Sequence, residues 1–135
     1  MANEINTDNQ NNIKKYSKDD ALMAVKAAYK AIDDKFGYDI VALDISALTV
    51  LADYFIIATA NNTILLKTIA DNVAERLDAE GIRLRHSEGF PASKWMLLDF
   101  GCIVAHIFLK EEREFYNIER IWGDAPSLSE DSLKQ

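Results

Sequence analysis

Cys102 and His106 are the two side chains in this chain whose types best suit a nucleophile and its base. In thiol catalysis, a histidine within hydrogen-bond reach of the sulfur, about 3 Å, takes its proton. Both residues fall in an apolar segment that predicts a strand, where four residues span about 13 Å. We expect the two side chains to point the same way without touching. Cys102 is therefore predicted to be a small buried or turn residue, and His106 a core or partner-facing histidine.

Three carboxylates, Asp44, Asp53 and Asp99, fall near predicted strand ends, where two-metal sites often have their ligands. Nucleotidyl transfer needs a second carboxylate two residues along the same strand, and Ser46 stands there instead. The sequence contains neither glycine-rich phosphate-binding motif, G-x-x-x-x-G-K-[S/T] or G-x-G-x-x-G, and no Cys/His spacing typical of zinc. It therefore predicts a non-enzymatic protein with no metal and no cofactor. A nucleotidyltransferase-like enzyme acting on a nucleotide substrate is the alternative.

Aromatic side chains are concentrated between residues 95 and 122, and they favour protein binding. Phe115 and Trp122 share one predicted helical stripe, so we expect both in the core. Tyr116 is turned about 100° from Phe115 on a helix, off that stripe. Trp95 opens a strand after the polar pair Ser93-Lys94. Because Trp, Tyr and Arg dominate binding hot spots, Trp95 and Tyr116 are candidate anchors for a protein partner.

The charge of the chain separates two classes of partner. It has 135 residues and a formal net charge of −7. Such a surface repels phosphate backbones, and its densest basic run, Lys14, Lys15 and Lys18, is followed at once by two aspartates. We therefore expect no direct sequence-specific contact with nucleic acid. An acidic surface suits a basic protein partner, although plain solubility also explains it.

Cysteine content and hydropathy predict the compartment. The single cysteine allows no internal disulfide, which is typical of a reducing environment. No apolar run approaches the roughly 20 residues that cross a bilayer, so no membrane association is expected. The first residues have neither the apolar stretch of a secretory signal nor the arginine-rich character of a transit peptide. The sequence predicts a cytoplasmic protein.

Composition divides the chain into three parts. Residues 1–16 are polar and rich in asparagine, and we predict a flexible arm. Residues 17–125 form one predicted domain. Residues 126–135 follow the proline at 126 and are predicted to be a flexible tail.

The domain itself alternates helical and extended patterns. Ser17 and Asp20 predict a capping box that starts a helix over 18–36, with Gly37 as its left-handed stop. Strands are predicted over 40–45 and 54–60, a second helix over 63–80, a third strand over 82–88, a hairpin of strands 95–100 and 102–109 around Gly101, and a last helix over 111–122. This order predicts an α/β fold, with a mixed β-sheet and helices packed on it.

Several separated motifs resemble those of one protein family. They are D-I-V-A-L-D at 39–44, D-Y-F-I-I-A-T at 53–59, I-A-D-N-V at 69–73, W-x-L-L-D-x-G-x-x-V-x-H-x-F from residue 95, and R-x-F-Y-x-I-E-R-I-W from residue 113. They occur in the family's order and cover about residues 19–125. The chain is identified by them as similar to the ribosomal silencing factors, the RsfS or Iojap family.

The resemblance implies a fold similar to nucleotidyltransferases without their catalytic residues. It implies binding to the large ribosomal subunit through ribosomal protein L fourteen, at the face where the small subunit joins. By occupying that face, such a protein blocks subunit joining and represses translation under nutrient limitation. Because an apolar partner surface can self-associate, we expect that the free protein can form a homodimer.

The family's partner contacts fall on Trp95, Phe100 and Tyr116, and we expect Arg113 and Glu119 to be charges at the rim of that surface. The family usually has leucine or tyrosine where Phe100 stands, and Gly-Asp where this chain has Gly101-Cys102. Trp95 and Phe100 are an odd number of residues apart, so a regular strand would turn them to opposite faces.

Overall fold

The structure is a computed structural model that describes residues 16–89 and 93–135. The predicted flexible arm over 1–16 lies, except for its last residue, outside the described residues. Within the described part of the chain, the α/β prediction is confirmed: helices pack on a mixed β-sheet. No helix described there is both long and apolar enough to span a bilayer.

Helix α1 (Lys18–Asp34) begins with the predicted capping box. The Ser17 hydroxyl accepts a hydrogen bond from the Asp20 amide, and the Asp20 carboxylate accepts one from the Ser17 amide. The helix ends two residues earlier than predicted, because Phe36 takes the left-handed conformation, with φ 68°, that was expected of Gly37. Gly37 is needed for another reason: a Cβ there would collide with the Ile32 side chain.

The sheet is built around two long, buried strands. Strands β1 (Tyr38–Asp44), β2 (Tyr54–Ala60), β3 (His86–Glu88), β4 (Trp95–Asp99) and β5 (Ile103–Leu109) lie, within the described residues, in the order β1-β2-β5-β4-β3. The β2–β5 pair is parallel and the other pairs are antiparallel. Every residue of β2 is buried, as its unbroken apolar run predicts. β3 is much shorter than the predicted strand over 82–88.

The two faces of the sheet are covered differently. Helices α1 and α2 (Thr63–Ala79) pack on one face and form the larger core with residues such as Ile56, Ile69 and Leu98. The other face carries a smaller cluster around Phe55, Ile57 and Phe108. That second cluster contains no residue of α1 or α2, and the β4 side chains on this face, Trp95, Leu97 and Asp99, are only partly buried.

The predicted last helix over 111–122 is divided in two. Helices α3 (Lys110–Tyr116) and α4 (Ile118–Ile121) meet at Asn117, which is left-handed with φ 43°. Asparagine is among the few residues that adopt this conformation readily, and it turns the chain between them. The two halves therefore do not share one continuous apolar stripe.

The segment predicted to be a flexible tail over 126–135 is folded onto the domain. The Leu128 amide donates to the Ala42 carbonyl at 2.9 Å, and the Asp44 amide donates to the Pro126 carbonyl at 2.8 Å. Helix α5 (Glu130–Lys134) follows, with Leu133 buried against the helical core. Local composition did not reveal this, because the segment owes its order to the edge of β1, a tertiary partner.

Candidate protein-binding surface

A row of aromatic rings runs across the sheet face opposite α1 and α2. Its ring centroids lie 5.1 Å apart for Trp122 and Phe55, 4.9 Å for Phe55 and His106, 5.9 Å for His106 and Trp95, and 4.8 Å for Trp95 and Tyr116. These separations lie in the range where aromatic pairs attract each other beyond simple burial. We call these five rings the aromatic row. Its middle rings, Phe55 and His106, are buried, and Tyr116 at one end is exposed.

The exposed end of the aromatic row lies at Trp95 and Tyr116. Trp95 is half-buried and stacks on Phe108, with centroids 4.8 Å apart and an interplanar angle of 24°. Tyr116 is 47% exposed, and its neighbour Phe115 is 82% exposed. Three large aromatic side chains thus stand together where water can reach them, a pattern typical of an interaction site.

A cleft of about 470 Å³ lies beside these rings, and we call it the Trp95–Tyr116 cleft. Leu97 adds to its apolar surface, since Trp95 and Leu97 alternate with the buried Met96 and Leu98 along β4. The other lining residues are polar, charged or small: Glu88, Gly89, Ser93, Lys94 and Glu112. Leu97 could have been found from the sequence by this two-residue alternation from Trp95. No sequence pattern indicates Glu88 and Glu112, because they lie on β3 and α3 and reach the cleft only in the folded chain.

Phe100 does not belong to this surface, contrary to the expectation that it contacts a partner. It is 0% exposed and packs in the core between the helices and the sheet. Its distance of five residues from Trp95 turns it to the opposite face. The tight turn at Gly101, with φ 86°, does not redirect it.

Phe115 and Trp122 also differ from their predicted place in the core. Phe115 is exposed, and Trp122 is half-buried against the smaller cluster. Both predictions depended on a single helical stripe through 111–122. The left-handed Asn117 removes that stripe, so Phe115 turns outward beside Tyr116, with centroids 5.1 Å apart.

Arg113 and Glu119 pair with each other instead of standing free at a rim. The Arg113 Nε donates to a Glu119 carboxylate oxygen at 2.9 Å, and Nη1 donates to the Asp39 carbonyl at 2.6 Å and the Thr59 hydroxyl at 2.7 Å. The Arg113 side chain is only 12% exposed. Arg113 therefore fastens α3 to the ends of β1 and β2, which fixes the helix that presents Tyr116.

Replacing Arg113 by lysine is expected to lower the free energy of unfolding by about 1–2 kcal/mol. A lysine keeps the charge but cannot donate in three directions from one rigid plane. Urea denaturation followed by circular dichroism measures the change. Arg120→Lys, at an exposed position on α4, is the matched control and should change stability by less than about 0.5 kcal/mol. Equal effects of the two substitutions would contradict this role for Arg113.

His106 is held in the middle of the aromatic row as a neutral side chain. Its Nδ1 accepts a hydrogen bond from the Trp95 indole Nε1 at 3.3 Å. A neutral imidazole that accepts at Nδ1 carries its proton on Nε2. That buried Nε2 has no hydrogen-bond partner among the described residues. Burial lowers the pKa of His106 to about 4.

The depressed pKa of His106 predicts a loss of stability in mild acid. The unfolded chain takes up this proton near pH 6.5, the folded chain only near pH 4. The stability that the neutral histidine contributes is fully present above pH 6.5 and is lost as the pH falls toward 4. Between pH 6.5 and 5, we expect the free energy of unfolding to fall by about 1.5 kcal/mol. Urea titrations at several pH values measure this slope. His106→Leu, which retains the exposed His86, should flatten it, and an unchanged slope in that variant would contradict the assignment.

Cys102 and His106 lie on different sides of the sheet. Cys102 precedes β5 and packs in the helix-side core, whereas His106 belongs to the opposite face. The prediction that they point the same way is wrong, because the turn before β5 interrupts the strand alternation. Burial raises the pKa of the Cys102 thiol, which disfavours the nucleophilic thiolate.

Two of the three carboxylates near strand ends serve local structure. Asp44 pairs with the Lys18 ammonium at 2.9 Å and accepts from the Ser46 amide at 3.0 Å. Asp99 accepts a hydrogen bond from the Gly101 amide at 2.8 Å, across the hairpin turn. Across residues 16–89 and 93–135, no group of three or more Cys, His, Asp or Glu side chains is arranged to hold a metal ion.

Comparison with known proteins gives consistent similarities over most of the chain. A family model described as "Ribosomal silencing factor during starvation" matches residues 18–135. The ribosomal silencing factor RsfS of Bacillus subtilis is 42% identical over 102 residues, which cover 76% of this chain and 86% of that protein. The chloroplastic protein Iojap of Arabidopsis thaliana is 36% identical over 105 residues, covering 78% of this chain and 43% of that protein. A crystal structure of a Chromobacterium violaceum protein matches with a TM-score of 0.73 and 37% identity, covering 75% of this chain and 84% of that one.

Proposed function

This chain belongs to the ribosomal silencing factor family, and on that premise we propose that it binds the large ribosomal subunit through ribosomal protein L fourteen. Bound there, it sterically blocks subunit joining and represses translation under nutrient limitation. It acts as a cytoplasmic binding protein, without catalysis and without a cofactor.

The observation that carries the proposal is the contact of Trp95 with Tyr116 at the exposed end of the aromatic row. Their centroids are 4.8 Å apart, so one partner surface can cover both rings at once. The Phe108 ring stacks on Trp95, and the hydrogen bonds of Arg113 hold helix α3, which carries Tyr116. Both rings are held in place before a partner arrives, which reduces the entropy lost on binding.

The charges around the Trp95–Tyr116 cleft suit a basic partner. Glu88 and Glu112 lie at its border with one lysine, Lys94, and the whole chain carries a net charge of −7. Such a field speeds encounter with a positively charged protein and disfavours phosphate backbones. The main contact is therefore with ribosomal protein, and ribosomal RNA lies nearby without a sequence-specific contact.

The same rings give the free protein a surface for a second copy. Phe115, Tyr116 and Trp95 together present apolar area that water contacts in the monomer. We propose a homodimer of the free protein over this surface, which competes with binding to the ribosome. Sedimentation of the free protein should then show a dimer that Tyr116→Ala weakens.

Subunit joining followed by light scattering tests the function directly. The purified protein, added to isolated large subunits before the small subunits, should lower the scattering amplitude in proportion to its occupancy. Co-sedimentation should place it with large subunits and not with small ones. Unchanged joining at a saturating concentration would contradict the proposal. Calorimetric binding of ATP or CTP with Mg²⁺ would favour a nucleotidyltransferase-like enzyme instead.

A further inference from the structure

We propose that His106 is a positioning residue, which holds the Trp95 indole in the orientation that the partner meets. This inference rests on the proposed function, because it assigns a role within the same binding surface. His106 does not reach that surface itself, since it is 5% exposed. Its effect on binding passes through the hydrogen bond to Trp95.

Two contacts from one strand fix the Trp95 ring. Trp95 lies opposite Phe108 in the β4–β5 register, and the indole stacks on that phenyl ring. Stacking sets the plane of the indole but not which of its edges points inward. The hydrogen bond from Nε1 to the Nδ1 of His106, two residues before Phe108 on the same face of β5, sets the edge. The partner then contacts the carbon atoms of the indole ring and not its N–H group.

The environment of His106 separates this role from a purely structural one. Among the described residues, the rings in contact with it are Phe55 from β2, Trp95 from β4 and Phe108 from its own strand, and none of these three is ionisable. Its Nε2 proton has no partner among the described residues, so burying this polar group works against folding. An apolar side chain of similar volume would avoid that penalty. Beyond its ring contacts, the histidine supplies the acceptor for the Trp95 indole, which an apolar side chain cannot.

A matched pair of variants, His106→Leu and His106→Asn, tests the proposal. Leucine fills the space but accepts no hydrogen bond, whereas the asparagine amide oxygen occupies nearly the place of Nδ1 and accepts from the indole. We expect His106→Leu to bind large subunits about fivefold more weakly with little change in Tm, because relief of the unpaired Nε2 offsets the lost hydrogen bond to the indole. We expect His106→Asn to bind within about twofold of the unsubstituted protein with a lower Tm, because it is smaller. A merely structural histidine would give affinity and Tm in the same order.

The indole N–H of Trp95 gives a direct spectroscopic reading in the free protein. Its ¹H–¹⁵N resonance, assigned in a Trp122→Phe background, should move upfield and exchange faster in His106→Leu, and should stay close to its original position in His106→Asn. An unmoved resonance in His106→Leu, or an unchanged affinity despite a moved resonance, would overturn the proposal. Should the unsubstituted protein fail to bind large subunits, the proposed function fails, and the resonance alone then decides whether His106 orients Trp95.

Discussion

The double substitution Trp95→Ala and Tyr116→Ala is expected to weaken binding to isolated large ribosomal subunits by more than about thirtyfold. Truncating a hot-spot residue typically costs about 2 kcal/mol or more, and about 1.4 kcal/mol is a tenfold change in affinity. The two rings touch, so their effects will not add, and either single variant should account for most of the loss. Co-sedimentation over a range of subunit concentrations measures the affinities.

Phe36→Ala is the matched control for this pair. Phe36 is a large aromatic residue with 73% of its surface exposed, and it precedes β1, at the opposite edge of the sheet from β3 and β4. Its removal should leave the affinity within about twofold. Circular dichroism shows whether each variant is folded, since Trp95→Ala also removes the stacking on Phe108. An unweakened double variant would contradict the placing of the binding surface.

Phe100→Ala is expected to lower the free energy of unfolding by about 3–5 kcal/mol and to leave the affinity of the folded molecules unchanged. The ring is fully buried between helices and sheet, so its removal leaves a cavity among side chains of the larger core. Chemical denaturation measures the first effect. Co-sedimentation at low temperature, corrected for the folded fraction, measures the second.

Phe115→Ala is the control for Phe100→Ala, because it removes an exposed phenylalanine ring instead of a buried one. That ring is 82% exposed, and its loss should change stability by less than about 0.5 kcal/mol.

A stable Phe100→Ala variant that no longer binds large subunits would contradict the prediction for Phe100 and would indicate that this residue contacts the partner. Such a result would also show that the hairpin turn at Gly101 rearranges when the partner binds.

Local signals in the sequence predicted much of the fold correctly. The unbroken apolar run at 54–60 is the buried strand β2, and the Ser17–Asp20 pair is a capping box with both hydrogen bonds formed. The hairpin around Gly101 follows from the short distance between two apolar runs. Each of these features is decided within a few residues, which is why the sequence alone is enough to find it.

The errors at the candidate binding surface come from single dihedral angles and distant partners. One left-handed residue, Asn117, turns Phe115 out of the predicted stripe. Arg113 meets the Asp39 carbonyl and Thr59 only after β1, β2 and α3 have assembled, so nothing near it in the chain shows that it is internally paired. The odd spacing between Trp95 and Phe100 predicts that their side chains face opposite sides of the sheet, whereas the family resemblance predicts that both contact the partner. The burial of Phe100 agrees with the spacing.

The aromatic row has a practical consequence for how unfolding of this protein can be followed. Both tryptophans of the chain, Trp95 and Trp122, belong to it, so the tryptophan fluorescence of the protein originates on one side of the sheet. Far-ultraviolet circular dichroism is dominated instead by the two long helices on the other side. The two optical probes thus observe opposite layers, and coincident melting curves from them are a strict test of all-or-none unfolding.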